Sequence, residues 1–216
     1  MSGYRVWGAA GFGSVIVEAA LTLMAQPYET VDFEGGQWPA DDARLARLNP
    51  LKQAPTLELP SGELMTESGA ILLWLAERHP EAGLAPPPGD PQRAQFLRWM
   101  VYLPAQIYSM FWVRDRPSRL AEGEAAEAVI LARTAERIAE CWALMERQVS
   151  PGRYILGDAL SVLDFYVTVM SRWTPRRRRF YAVAPRMGEV VRRVDADPRL
   201  AALWAARMPF SEGWEG

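Results

Sequence analysis

One proline-rich stretch, Ala85-Pro-Pro-Pro-Gly-Asp-Pro91, constrains this chain more than any other feature. Such a segment is stiff and extended, so it spaces two bodies. The two sides differ in kind. Every convincing strand signal precedes it, and every long segment after it reads as helix. The expected organisation is a mixed unit over residues 1–82, a linker over 83–91 and an all-helical unit over 92–216.

In the first unit, Tyr4 to Trp7 is a short β-rich run ending at Gly8. The loop Gly8-Ala-Ala-Gly-Phe-Gly13 follows, and Ser14 is placed to cap a helix over Val15 to Ala25, with Glu18 complementing its dipole. Pro27 stops that helix, and Tyr28 to Phe33 is rich in strand formers. This is a βαβ unit, expected to be parallel with a right-handed crossover. Ala40 to Leu48 reads as a short helix ended by Asn49-Pro50. Thr56 to Leu59 and Glu63 to Thr66 read as a hairpin around Pro60-Ser61-Gly62. Glu67-Ser68 opens a helix that His79-Pro80 closes. The order βαβ-α-ββα is an α/β layer architecture.

Beyond the linker, helices are expected over Gln92–Phe111, Glu122–Gln148, Ser161 to about Trp173, Ala182–Asp195 and Pro198–Arg207. Pro104 should kink the first of them. Ser161-Val-Leu-Asp164 has the form of a capping box with Asp at its third helical position.

Composition removes several chemistries. With one Cys and one His, the chain can form no internal disulfide and no cysteine-rich metal site, so no metal is expected. A net charge of −2 argues against a nucleic-acid partner. The longest apolar run, Ala70 to Ala76, is too short to cross a bilayer, and Met-Ser-Gly-Tyr-Arg lacks the apolar core of a signal peptide. A cytoplasmic protein is the expectation. His79 reads as a helix-end dipole partner, Cys141 as a packed small hydrophobe and Arg176 to Arg179 as a solvated turn.

Four motifs in this order and spacing resemble the bacterial cytosolic glutathione S-transferase family. They are Asn49-Pro-Leu-Lys-Gln-Ala-Pro55, Glu67-Ser68, the apolar helix Ala70-Ile-Leu-Leu-Trp-Leu-Ala76, and Gly157-Asp-Ala-Leu-Ser-Val-Leu-Asp164. The resemblance covers essentially the whole chain. It implies a thioredoxin-like first domain, an all-helical second domain, a homodimer, and glutathione as co-substrate with no other cofactor. It also implies a cis bond before Pro55, with Ala54 offering its backbone N–H and C=O to the cysteinyl part of glutathione like an added strand. Glu67 would take the ammonium of the γ-glutamyl end. Ser68 and the helix N-terminus would take its carboxylate. Gln53 and Lys52 lie beside the bend, within reach of the glycyl carboxylate, and Trp38 is assigned to packing.

The family places its catalytic Tyr, Ser or Cys just after the first strand. Here Gly8, Phe12 and Gly13 stand at those places, and only Ser14 retains a hydroxyl, one or two residues late. Ser14 is therefore the candidate catalytic residue. The alternative is that the backbone N–H groups of Gly13 and Ser14, with the helix end, stabilise the thiolate. Trp99, Tyr102, Tyr108, Phe111 and Trp112 give the second domain's first helix an aromatic content suited to the wall of an apolar co-substrate site, though core packing is the default for most. The expected activity is transfer of glutathione to an apolar electrophile. Glutathione-dependent reduction of a disulfide or peroxide, and a non-catalytic binding module of the same fold, are the alternatives.

Overall fold

The computed structural model describes residues 3–33, 43–173 and 177–209. Strand β1 (Tyr4–Gly8), helix α1 (Ser14–Leu23) and strand β2 (Tyr28–Asp32) form the parallel unit, with Tyr4 opposite Tyr28 and Gly8 opposite Asp32. After α2 (Ala43–Leu48), strand β3 (Thr56–Glu58) runs antiparallel to β1 with Val6 opposite Leu57. Strand β4 (Leu64–Met65) pairs antiparallel with β3, so the sheet order is β2-β1-β3-β4. Helix α3 (Ser68–Arg78) packs on α1. This is the thioredoxin-like arrangement.

Every residue of α1 from Ser14 to Leu21 is buried. The helix is apolar on nearly all faces because it is covered all round, by β1 and α3 from its own half and by α7 (Val162–Ser171) and α10 (Ala201–Arg207) from the other. One continuous core therefore runs from Val6 and Leu57 through Ile16, Leu72 and Leu75 to Trp99, Phe165 and Val191.

Two expectations at α1 are corrected. Ser14 is the first helical residue and not its cap; Gly13 stands in the cap position with helical backbone angles and no side chain to offer. Glu18 is no surface dipole partner, because its fully buried carboxylate is paired with Arg207.

In the helical half, α4 (Arg93–Tyr102) continues through a π-helical turn (Leu103–Tyr108) into α5 (Ser109–Asp115). Pro104 has no N–H and its ring crowds the preceding turn, so the hydrogen-bond ladder widens for one turn. Helices α6 (Glu124–Gln148), α7, α8 (Arg177–Val183), α9 (Pro185–Asp195) and α10 follow. The single helix expected over Ala182–Asp195 is divided because Pro185 begins a new one, the position where a missing N–H is harmless.

The capping box at α7 is present. Asp164 Oδ2 accepts from the Ser161 N–H at 2.8 Å and the Ser161 hydroxyl at 3.0 Å, and Oδ1 accepts from the Ile155 N–H at 2.8 Å. Burial pushes the Asp164 carboxyl up to about 6, against these hydrogen bonds, which pull it down. The folded value exceeds the unfolded one. The group's contribution to stability is therefore full below about pH 4 and lost as pH rises through about 6. The deficit of Asp164→Asn relative to wild type should shrink by about 2–3 kcal/mol between those limits. Urea denaturation of both proteins across the window checks this; a deficit that is flat or grows with pH contradicts it.

The basic run is also corrected. Arg177 is wholly buried, and its guanidinium pairs with Asp195 on α9, while Arg178 and Arg179 are exposed. Pro175 and Arg176 lie outside the described residues, as does Trp38. His79 is engaged by the Tyr4 hydroxyl, 2.8 Å from its Nε2, and Cys141 is buried in α6.

Candidate functional site

A cleft of about 300 Å³ opens where the two halves meet. From the first half it is lined by Phe12, Asn49, Gln53, Ala54, Pro55, Glu67 and Ser68, and from the second by Pro104, Tyr108, Ser109, Trp112 and Asp115. Of the sequence-derived candidates, Gln53, Ala54, Pro55, Glu67 and Ser68 are brought together here. Gly13 and Ser14 are not among the lining residues.

The Gln53–Pro55 segment is shaped from within. Asn49 is buried, accepts from the Leu51 N–H at 3.0 Å and donates to the Gln53 carbonyl at 2.9 Å. This clamps the turn that precedes Ala54. The Ala54–Pro55 peptide is cis, and Thr56 begins β3 beside it. Among the described residues, the Ala54 N–H has no backbone acceptor, while its carbonyl accepts from the Tyr108 hydroxyl at 3.2 Å.

Facing that segment is the start of α3. Glu67 holds φ 65° and ψ 98°, a left-handed conformation that a residue with a Cβ adopts at a cost of about 1–3 kcal/mol and that recurs at ligand sites. Its side chain is exposed in the cleft. Ser68 is buried, and its hydroxyl lies 2.7 Å from the Tyr166 hydroxyl of α7. The helix presents its first N–H groups next to that serine, which suits an anion.

The loop between β1 and α1 is built differently from expectation. The Ser14 hydroxyl donates to the Ala9 carbonyl at 3.2 Å and accepts from the Ala9 N–H at 3.3 Å, so it closes the loop from inside the core. Gly8 is required there, because a Cβ on it would lie 2.1 Å from the Ser14 Oγ. The second half holds the outside of the loop. The Gly11 N–H donates to the Arg207 carbonyl at 2.7 Å, and Trp173 Nε1 donates to the Gly11 carbonyl at 2.9 Å.

Of the aromatic residues in the second half, Trp99 and Phe111 are core, whereas Tyr108 and Trp112 face the cleft. Pro104, Tyr108, Trp112 and Asp115 recur at about the helical period, a signal legible in the sequence. Burial is the main cause that pushes the Tyr108 phenol well above its ordinary value, with the charges of Asp115 and Glu67 adding to it. It is a donor at all ordinary pH. Sequence reasoning missed Asp115, Tyr166, Trp173 and Arg207 as parts of this region. Asp115 shares the readable helical spacing; the other three carry no local signal.

This site belongs to a recognisable lineage. Residues 15–83 match the family model described as the glutathione S-transferase N-terminal domain. An Escherichia coli K12 relative, the uncharacterized GST-like protein YncG, is 34% identical over 197 residues, covering 91% of this chain and 94% of its own length. A glutathione transferase homologue from Sulfitobacter, solved with bound glutathione, superposes with a TM-score of 0.85 at 27% identity, covering 97% of this chain and 100% of that one. A sphingomonad glutathione S-transferase complexed with glutathione gives 0.75 at 26% identity, covering 94% and 98%. Matched to such a relative over nearly its whole length, with the fold and the cleft in agreement, the chain belongs to the glutathione S-transferase family.

Proposed function

We propose that this protein is a glutathione transferase that binds glutathione in the cleft and presents its sulfur to an apolar electrophile. The observation that carries the reading is one cleft that combines the Ala54 main chain, whose N–H has no backbone acceptor among the described residues, with an N-terminus of α3 that no side chain caps. A tripeptide with a charged α-amino acid at one end needs both features. In this reading Ala54 pairs with the cysteinyl backbone. Glu67 takes the ammonium, and Ser68 with the first N–H groups of α3 takes the γ-glutamyl carboxylate. Gln53 reaches the glycyl end. The electrophile lies against Tyr108, Ser109 and Trp112. The glutathione-binding unit is then residues 1–82, joined by 83–91 to the helical unit 92–216.

Sulfur must be held as thiolate, since a free thiol of pKa near 8.5 is only a few per cent ionised at neutral pH. The inward hydrogen bonds of Ser14 favour the main-chain alternative over its hydroxyl. The Gly13 and Ser14 N–H groups have no backbone acceptor among the described residues, and they sit at the positive end of α1. A cytoplasmic homodimer belongs to the same proposal. Its support is the exposed pair Leu97 and Val101, one turn apart on α4, together with Leu64 on the edge strand β4.

Calorimetric titration with glutathione tests the reading. Wild type should bind, and Glu67→Ala and Ser68→Ala should each weaken binding by about 1–3 kcal/mol, the worth of a charge-assisted hydrogen bond. No binding by wild type, or unchanged affinity in both folded variants, overturns it.

A further inference from the structure

Of the hydroxyl groups in the cleft, one from the helical half reaches across to the backbone of the first half. Three lining residues carry hydroxyls: Ser68, Tyr108 and Ser109. Ser68 is engaged with Tyr166. Ser109 turns back on its own helix and donates to the Ala105 carbonyl at 2.7 Å. Ser14 is bonded twice to Ala9. Tyr108 alone reaches the first half's backbone, donating to the Ala54 carbonyl at 3.2 Å.

The same hydroxyl also fills the space that a side chain at Gly13 would occupy. A Cβ on Gly13 would lie 1.9 Å from Tyr108 Oη and 2.8 Å from its Cζ. The phenol therefore sits against both the start of α1 and the peptide edge of Ala54. Its place is fixed by its surroundings. The π-helical turn that Pro104 induces ends at Tyr108. The ring packs on Trp173, with centroids 4.8 Å apart, and Trp173 is itself bonded to the Gly11 carbonyl.

We propose that Tyr108 is the catalytic side chain that joins the main-chain N–H groups at the start of α1 in stabilising the glutathione thiolate, donating its phenolic hydrogen bond to sulfur from the space left open by Gly13. This rests on the glutathione reading above. In that reading the Ala54 carbonyl accepts from the cysteinyl N–H of the ligand. That carbonyl oxygen has two lone pairs, so the incoming N–H finds a place on it, and the phenol, held there by a long 3.2 Å bond, turns its hydrogen bond to the stronger acceptor, the neighbouring thiolate. Tyr108 keeps its own proton throughout. The thiol proton leaves to solvent; the sulfur lone pair then forms a C–S bond to the aryl carbon of an aryl halide, and the carbon–halogen bond breaks with halide leaving to solvent with its electron pair. A phenol held protonated by its surroundings is suited to this task, because it donates without competing as an anion.

Tyr108→Phe preserves the ring and removes only the hydroxyl. Ultraviolet titration of the thiolate in the glutathione complex should show a pKa about one to two units above wild type, the range for a hydrogen bond to a charged group. Conjugation of an aryl halide at neutral pH should slow about tenfold to a hundredfold, because the thiolate fraction falls by that factor. Affinity for S-methylglutathione, which has no thiol to ionise, should stay within about threefold of wild type. Site-specific 3-fluorotyrosine at position 108, a more acidic donor of the same shape, should lower the bound thiol pKa below wild type. That second protein serves if the phenylalanine variant folds poorly. Intact glutathione binding with an unmoved thiol pKa in either protein overturns the assignment of Tyr108 alone. Failure of wild type to bind either thiol or thioether overturns the glutathione reading and this assignment with it.

Discussion

Replacing Asp195 by alanine should lower the unfolding free energy by about 3–5 kcal/mol, the loss expected when a buried ion pair is broken from one side. The Arg172 guanidinium donates to Asp195 Oδ1 at 2.6 Å, and Arg177 pairs with both carboxylate oxygens. Both arginines are buried, and the carboxylate's side chain is only 10% exposed. Other acceptors hold the guanidiniums in place: Arg172 donates to the Met208 carbonyl at 2.5 Å, and Arg177 to the Thr168 carbonyl at 2.9 Å and the Ser171 hydroxyl at 3.0 Å. None of these three acceptors is ionised. The variant would take the shared Asp195 carboxylate away from two buried guanidiniums. For a chain of this size the midpoint of thermal unfolding should fall by about 6–20 °C. Glutathione affinity measured well below that midpoint should be unchanged, since the cluster joins α7, α8 and α9 and does not line the cleft. A midpoint within about 2 °C of wild type would show that the three charges are not coupled as described.

Arg207→Ala should be nearly as damaging, but with a pH signature of its own. Arg207 donates to the Glu18 carboxylate at 2.8 and 3.2 Å and to Asp32 at 2.7 and 2.6 Å. Glu18 is fully buried in α1, whereas Asp32 stands half-exposed at the end of β2. Removing Arg207 strands the Glu18 carboxylate, at about 3–5 kcal/mol near neutral pH. Burial already raises the Glu18 carboxyl above its ordinary value even with Arg207 opposing it. Without the cation it rises further. A carboxyl whose folded pKa is raised contributes stability that is present at low pH and lost as pH rises. The deficit of Arg207→Ala should therefore grow from acid to neutral pH, and Glu18→Gln introduced beside it should recover much of the loss. Chemical denaturation of the single and double variants at two pH values decides this. A deficit independent of pH, with no recovery in the double variant, would mean that Glu18 is not the group left unpaired.

Both clusters bear on the site indirectly. Arg207 is also the residue whose carbonyl holds Gly11, and the short segment from Trp173 to Arg177 carries at one end the ring behind Tyr108 and at the other the guanidinium on Asp195. The loop that begins α1 is thus held from outside by the helical half and from inside by Ser14. The site is assembled from both halves. The Ala54 main chain comes from the bend before β3, and the Tyr108 hydroxyl beside it comes from a helix distorted by one proline.

What was legible in the sequence is what short-range rules encode. The strand-bearing half ends before Ala85-Pro-Pro-Pro, and the helices follow it, because period and turn chemistry are properties of neighbouring residues. Asn49 to Pro55, Glu67-Ser68 and the capping box Ser161 to Asp164 are equally local, each complete within a few residues. The cleft-facing row Pro104, Tyr108, Trp112 and Asp115 has helical spacing, but that this face meets a cleft was decided by the fold. What the sequence alone left open depended on pairs distant along the chain. Glu18 and Arg207 are 189 positions apart, Gly11 and Trp173 162, and Ala54 and Tyr108 54. No local pattern distinguishes a buried Arg177 from an exposed Arg178 beside it, or a Ser14 turned inward from one turned to a ligand. Those choices are made when the halves dock. Each buried polar group must then find a partner wherever packing has put one, because leaving it without one in a low-dielectric interior costs more than any local preference supplies.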